Sequence, residues 1–297
     1  MKIAAIYNTA ASEALKQDLR PVLDDFFKAK TVYERYDFDP ENENFNDLLK
    51  SKLNVGKFDT LVLVGGDGTL RSGVNYLYHE KLVESFKVVF IPYGTGNLMR
   101  DALGLPTETD SILNAIKPEK FKVYRYGIFC DEVFMVAASI GNISALAEIN
   151  DLPWFKKLFG KLSYVLKLIV SAPGFKNKSF DVSFNDTEKT IEAHSILVAP
   201  GEFIGGFMEA PKVTDKKFCV MFLSFGTDWL KLIKAIFFLL FFGKTPKPEV
   251  FETKSITIKG KNLTPLQIDG DLIDDSPSEV FNFSLGQQTL KILSFKD

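Results

Sequence analysis

The stretch LVLVGGDGTL, residues 61–70, constrains the fold more than any other part of the sequence. Four apolar residues lead into a glycine-rich turn, and apolar character resumes at Leu70. A short continuous apolar run is typical of a strand buried on both faces, and the residues from Leu70 onward have helical spacing. Strand, glycine turn and helix in this order predict an α/β layer with a mostly parallel sheet.

The same alternation of strand and helix signals runs through the first 122 residues. Apolar runs predict strands and amphipathic segments predict helices, with Pro21 as a kink inside the first helix. The predicted strands are 2–7, 31–38, 61–64 and 87–92, and the predicted helices are 11–30, 43–54, 70–80 and one that starts near Thr95.

Beyond residue 122 the pattern changes to short alternating runs separated by turns such as SFND and IDGD. Such runs are typical of a β-sandwich or a barrel. Two helical insertions, near 152–172 and 228–242, interrupt them. We therefore predict an α/β domain over 1–122, followed by a β domain over 123–284.

Composition excludes several classes of protein. The net charge of −2 gives no positive field for nucleic acid. Cys130 and Cys219 form neither a disulfide framework nor a metal-ligand pattern, which favours a reducing compartment. No signal peptide and no spanning apolar run is present; the longest candidate, 229–242, is too short. These observations predict a soluble cytoplasmic protein.

The glycines of the opening stretch predict a phosphate site. Gly65, Gly66 and Gly68 follow a buried strand, at the edge where open α/β sheets bind ligands. Glycine lets backbone N–H groups approach a phosphate at the start of a helix. Asp67 would repel a phosphate unless a cation such as Mg²⁺ lies between them. The alternative is a tight turn in which Asp67 caps the helix.

A second loop strengthens the phosphate hypothesis. In IPYGTGNLMRDALGLP, residues 91–106, another buried strand ends in a glycine turn that opens a helix. Gly94, Thr95, Gly96 and Asn97 form this turn. Two such loops at adjacent strand ends are expected to form two phosphate-facing walls of one cleft.

The motifs GGDGT (65–69) and PYGTGN (92–97) resemble those of the diacylglycerol kinase catalytic domain superfamily, which includes bacterial lipid kinases and sphingosine kinases. NAD kinases and phosphofructokinases share GGDG more distantly. Further resemblance lies in FGKLSYVLKLI (159–169), VAPGEFIGGFMEAP (198–211) and IDGD (268–271). The resemblance implies an ATP-binding α/β domain, a β-sandwich domain and an active site in the cleft between them. It also implies that a final strand, about 285–297, returns to the first domain.

Site residues follow from the resemblance, position by position. The residues implied for the nucleotide are Asn8, Gly65, Gly66, Asp67, Gly68, Thr69, Gly94, Thr95 and Asn97. The loop after Asn8 reads NTAAS and lacks the proline and glycine of the family pattern. Leu98 stands where many relatives have an aspartate, and Asp101 is an alternative acidic group nearby.

Two further acidic segments are candidates for chemistry. IDGD by itself predicts a hairpin turn. In the family the corresponding turn reads Asp-Gly-Glu and supplies the base that deprotonates the lipid hydroxyl, which implies a catalytic role for Asp269 or Asp271 beside Asp67. APKVTDKKF (210–218) resembles a loop that holds a structural Mg²⁺, with Lys212 and Lys217 binding through their carbonyls and Asp215 through its carboxylate. A charged hairpin is the alternative for that segment.

The function implied is an ATP-dependent, Mg²⁺-requiring lipid kinase whose acceptor is diacylglycerol or a sphingoid-type alcohol. A kinase of a soluble acceptor such as NAD, or a non-catalytic nucleotide or lipid binder, are the alternatives. Segment 152–178 mixes aromatic residues and lysines, which predicts transient contact with anionic membranes at the inner membrane face. A helix packed on the β domain is the alternative. The oligomeric state, homodimer included, stays open.

Overall fold

The computed structural model describes residues 1–11, 17–28, 32–94, 97–141, 177–200, 203–205, 208–209, 217–223, 249–260, 266–273 and 279–296. The chain divides into two compact units. Unit 1 comprises Met1–Tyr126 with Gly286–Asp297, and unit 2 comprises Gly127–Leu285. The helical insertions predicted at 152–172 and 228–242 lie outside the described residues.

Unit 1 is built from strands and helices in alternation. Its elements are β1 Lys2–Asn8, α1 Arg20–Lys28, β2 Val32–Phe38, α2 Phe45–Lys52, β3 Thr60–Gly65, α3 Asp67–His79, β4 Lys87–Pro92, α4 Leu98–Leu103, α5 Thr109–Asn114, a 3₁₀ turn Pro118–Lys120, β5 Phe121–Tyr124 and the last strand of the chain, β20 Leu290–Leu293. These strands form one sheet in the order β2-β1-β3-β4-β20-β5.

The sheet of unit 1 is parallel except at one edge. β2, β1, β3, β4 and β20 run parallel, and β5 pairs antiparallel with β20. Every residue of β3 is buried, as are the four central residues of β4, because helices cover both faces of such a sheet. The predicted α/β layer with a mostly parallel sheet is confirmed.

The first helix differs from its prediction. A helix was predicted over 11–30 with a kink at Pro21, but α1 begins at Arg20, and Gln17 to Leu19 precede it without helical structure. Pro21 therefore lies in the first turn of a helix, where its missing N–H costs nothing. The prediction of a kink was wrong because Leu19, which precedes the helix, has the same apolar spacing as the residues within it.

Unit 2 is a sandwich of two antiparallel sheets. Its strands are β6 Gly127–Phe129, β7 Glu132–Phe134, β8 Ala138–Gly141, β9 Lys178–Phe184, β10 Thr187–Ala193, β11 Ser195–Ala199, β12 Phe203–Gly205, β13 Met208–Glu209, β14 Phe218–Leu223, β15 Glu249–Thr253, β16 Ser255–Lys259, β17 Leu266–Ile268, β18 Asp271–Ile273 and β19 Val280–Leu285. One sheet has the order β10-β9-β16-β19-β6-β7 and the other β15-β14-β11-β8-β17-β18, with β12 and β13 as a separate pair.

Aromatic side chains dominate the core of unit 2. Phe129 and Phe283, from neighbouring strands, stack with ring centroids 4.2 Å apart and planes 6° apart. Alternate residues of both sheets point into this core, which confirms the predicted β-sandwich. None of the helices in the described part of the chain has the length and apolar character that a membrane crossing needs.

His194 is a buried titratable group of unit 2. It lies between β10 and β11 with 2% of its surface exposed, and its Nδ1 is 2.8 Å from the Ser195 hydroxyl. Its backbone N–H donates to the Leu223 carbonyl at 2.9 Å. Burial disfavours the charged imidazolium and lowers the pKa of His194 from 6.5 to about 4. The folded unit therefore requires the neutral ring.

This burial predicts an acid-sensitive fold. Between pH 6.5 and 4 the unfolded chain binds a proton at His194 that the folded chain does not, so stability falls as the pH falls. From pH 7 to pH 5 the loss is about 2 kcal/mol. Urea unfolding at both pH values should show a smaller loss of unfolding free energy between pH 7 and pH 5 for His194→Gln than for wild type. His79→Gln, at an exposed histidine, is the control; equal losses in all three proteins would contradict the assignment.

Candidate functional site

The strand order of unit 1 creates a crevice. From β1 the chain moves outward to β2, then returns past β1 to β3 and β4, so connections leave the sheet in opposite directions at β1 and β3. Open α/β sheets bind ligands beyond the carboxyl ends of their strands at such a switch point. Asn8 ends β1 and Gly65 ends β3, which places both at this crevice.

Asn8 and Thr69 join the two sides of the crevice. The Asn8 Nδ2 group donates to the Thr69 hydroxyl at 2.9 Å, and its Oδ1 accepts the Ala10 N–H at 3.0 Å. Thr69 also sits against Gly65: a Cβ added to Gly65 would lie 2.7 Å from the Thr69 Cβ. Glycine is required at position 65 because the first turn of α3 folds back onto the end of β3.

The second glycine loop packs directly on the first. The Tyr93 N–H donates to the Gly65 carbonyl at 2.6 Å, and a Cβ on Gly94 would lie 2.5 Å from the Gly66 Cα. Asn97 closes its own loop by accepting the Gly94 N–H at 3.1 Å and donating to the Gly94 carbonyl at 2.6 Å. The structure therefore brings GGDGT and the described ends of PYGTGN together.

Gly68 differs from its neighbouring glycines. It is exposed in the first turn of α3, and a Cβ built on it would meet nothing within 4 Å. Neither backbone conformation nor packing inside the protein explains a glycine at this position. A ligand that approaches the start of α3 closely would explain it, because an added methyl group would occupy the space that the ligand needs.

Asp67 connects the first glycine loop to the helix that follows the second loop. It is the first residue of α3, and its two carboxylate oxygens accept the backbone N–H groups of Leu98, at 2.6 Å, and Met99, at 3.0 Å. Asp67 thus caps a helix, as one hypothesis allowed, but the helix is α4 rather than α3. Asp67 also lies within the first glycine loop, where its carboxylate could contribute to binding a cation.

IDGD forms the hairpin that its sequence predicts. Asp269 and Gly270, with φ of +50° and +103°, make the two-residue turn between β17 and β18. The Asp269 carboxylate accepts the N–H groups of three successive residues, Met135, Val136 and Ala137, at 2.7, 2.8 and 2.9 Å. The turn is therefore tied to the segment between β7 and β8.

Asp271 is placed differently from Asp269. It opens β18 opposite Ile268, and its side chain is exposed. The hairpin therefore carries one carboxylate that accepts backbone hydrogen bonds, that of Asp269, and one that is exposed, that of Asp271.

Other predicted residues are only partly described. Thr95, Lys212 and Asp215 lie outside the described residues, so their nucleotide and metal roles stay predictions. Lys217 precedes β14, and its ammonium is 3.9 Å from the Glu252 carboxylate. Asp101, the alternative acidic group, pairs with the guanidinium of its neighbour Arg100 at 3.0 Å.

Within the part of the chain that the structure describes, no three His, Cys, Asp or Glu side chains cluster as a metal site. That observation does not conflict with Mg²⁺ as a cofactor, because Mg²⁺ in kinases is held by one or two carboxylates together with the substrate phosphates. Asp67 fits such a role only in combination with a phosphate ligand.

The sequence indicated the glycine loops but not the groups that hold them. The backbone N–H groups of Leu98 and Met99, and those of residues 135–137, carry no side-chain signal. The αL conformation of Asn97, with φ of +47°, could have been anticipated from an asparagine directly after a glycine loop.

Comparison with known proteins agrees with this geometry. Residues 2–127 match the model of the diacylglycerol kinase catalytic domain. A diacylglycerol kinase of Staphylococcus saprophyticus is 24% identical over 284 residues, covering 93% of this chain and 91% of the relative. A diacylglycerol kinase of Bacillus subtilis is 27% identical over 229 residues, covering 74% of this chain and 72% of the relative.

Solved structures show the same fold. The crystal structure of a diacylglycerol kinase from Bacillus anthracis superposes with a TM-score of 0.73 at 20% identity, covering 99% of this chain and 96% of that one. The matched domain holds both glycine loops, and the sequence relatives extend the match over unit 2. Residues 2–127 are thus similar to the diacylglycerol kinase catalytic domain, and the chain is similar to diacylglycerol kinases over most of its length, which supports a lipid kinase.

Proposed function

We propose that this protein transfers the γ-phosphate of ATP to a hydroxyl group of a membrane lipid, with diacylglycerol or a sphingoid-type alcohol as the acceptor. The observation that carries the proposal is the contact between the two glycine loops at the switch point of unit 1. Phosphoryl transfer relies on positioning and charge neutralisation, and two adjacent glycine loops supply N–H groups for a polyphosphate. Relatives named diacylglycerol kinase support a lipid alcohol as the acceptor.

Mg²⁺ is the cofactor that this chemistry implies. A triphosphate beside Asp67 brings together two negatively charged groups, and a divalent cation offsets their repulsion. The cation would be held by Asp67 and by the phosphates, and it would neutralise charge on the transferred group. Docking on anionic membranes through segment 152–178 stays a prediction, since all but the last two of its residues lie outside the described part of the chain.

The purified protein should transfer label from [γ-³²P]ATP to lipid. Incubation with Mg²⁺ and a mixed lipid extract, then separately with diacylglycerol and a sphingoid base, is expected to give labelled phospholipid. Excess chelator should abolish the label, because the cation offsets charge at the loops. Label on NAD alone would instead identify a soluble acceptor, and nucleotide binding without any transfer would indicate a non-catalytic homologue.

Gly68 gives a test of phosphate binding. Gly68→Ala is expected to leave thermal stability unchanged or slightly higher, because its Cβ enters open space on a helix, yet to weaken ATP binding about tenfold or more by intruding on the phosphate. Gly65→Ala is the matched control: its Cβ meets Thr69, so it should destabilise unit 1 by about 1–3 kcal/mol. Calorimetry measures both effects. Unchanged ATP affinity in Gly68→Ala would place the phosphates elsewhere.

The two acids of IDGD are suited to different roles. A general base needs lone pairs that a hydroxyl can reach, and Asp271 lies exposed at the hairpin. Asp269 already accepts three N–H groups, which makes it a poor proton acceptor and a good anchor. We therefore assign the base to Asp271 and the placement of the hairpin to Asp269.

Substitutions separate these roles. Asp271→Asn should lower kcat by about 10²–10⁴-fold with the melting temperature and ATP affinity unchanged. Asp269→Asn should destabilise unit 2 by about 1–3 kcal/mol, because an amide cannot accept all three N–H groups. Asp186→Asn, in the similar Asn185–Asp186 hairpin turn, is the control for an exposed hairpin aspartate. Full activity of Asp271→Asn would contradict the assignment.

A further inference from the structure

Asp67 supplies a helix cap across a gap of 31 residues. Its carboxylate oxygens accept the N–H groups of Leu98 and Met99, the first two residues of α4. N–H groups in the first turn of a helix have no acceptor within the helix. A carboxylate there satisfies them and interacts favourably with the helix dipole.

The segment that contains α4 provides no cap of its own. Asn97 occupies the N-cap position, but its side chain makes no capping hydrogen bond. That side chain instead closes the loop onto both backbone groups of Gly94. The six residues of α4 are too few to form a stable helix alone. Asp67 therefore provides what the local sequence lacks.

Two other contacts tie the loops at neighbouring points. The Tyr93 N–H donates to the Gly65 carbonyl at 2.6 Å, and the backbones of Gly66 and Gly94 approach too closely for a side chain on Gly94. Together with Asp67 these contacts hold the beginning and the end of the second loop against the first.

We propose that Asp67 is a positioning residue that fixes the second glycine loop on the first before any nucleotide or metal binds. The catalytic consequence of this inference rests on the proposed function. The hydrogen bonds of Asp67 to Leu98 and Met99 are independent of that function. Aligned N–H groups bind a polyphosphate more tightly when their geometry is set in advance, because no ordering cost remains on binding. The contact uses the backbone of Leu98, so it does not depend on the leucine side chain.

Amide hydrogen exchange tests the contact without metal. In wild-type protein with excess chelator, the amides of Leu98 and Met99 should be protected. In Asp67→Ala, which offers no oxygen to accept them, their exchange should quicken at least about fivefold. Asn44→Ala is the matched control: Asn44 caps α2 through the N–H groups of Asn46 and Asp47, so its loss should quicken exchange in α2 and leave α4 protected.

Nucleotide binding without metal gives the second readout. A positioning role predicts that Asp67→Ala binds ATP more weakly than wild type in excess chelator, whereas the loss of a metal ligand alone would not weaken metal-free binding. Unprotected amides in wild type, or unchanged protection in Asp67→Ala, would overturn the proposal. So would a metal-free ATP affinity of Asp67→Ala equal to or above that of wild type. Protected amides in a protein that phosphorylates no lipid would instead refute the proposed function and leave the positioning role standing.

Discussion

The backbone contact between Gly66 and Gly94 is the constraint on which the candidate site depends. These two loops follow different strands and meet this closely only because Gly94 carries no side chain: a Cβ on Gly94 would lie 2.5 Å from the Gly66 Cα. The parallel pairing of β3 with β4 brings both loops to the same edge of the sheet. The sheet provides the approximate position of the loops, and the missing side chain of Gly94 allows their final approach.

Both units use an aspartate beside a glycine to hold a distant segment. In unit 1 the Asp67 carboxylate accepts two N–H groups at the start of α4, and in unit 2 the Asp269 carboxylate accepts three between β7 and β8. A carboxylate can satisfy several backbone donors at once, and such charge-assisted hydrogen bonds are stronger than neutral ones. Asp67 and Asp269 belong to motifs that are associated with catalysis, and both also determine the local structure.

The elements predicted from sequence were correct where periodicity was strong. β3, β4 and the hairpin at Asp269 and Gly270 lie where apolar runs and turn residues indicate them. The start of the first helix was predicted wrongly because apolar spacing alone does not show where a helix begins. Pro21 belongs to the first turn of that helix. The runs beyond residue 122 were expected to alternate, but every residue of β11 and β14 is buried, core-facing and outward-facing alike.

The sequence by itself determined that a glycine loop follows each of two buried strands and that IDGD turns a hairpin, because these depend on local backbone preferences and on side-chain periodicity. Only the tertiary structure decided the partner of each carboxylate. The N–H groups that Asp67 holds lie 31 and 32 residues away, and those that Asp269 holds lie 132 to 134 residues away. Backbone donors are the same at every position except proline, so no residue type identifies them in advance. Which N–H groups each carboxylate contacts depends on the packing of strands and loops that lie far apart in the sequence.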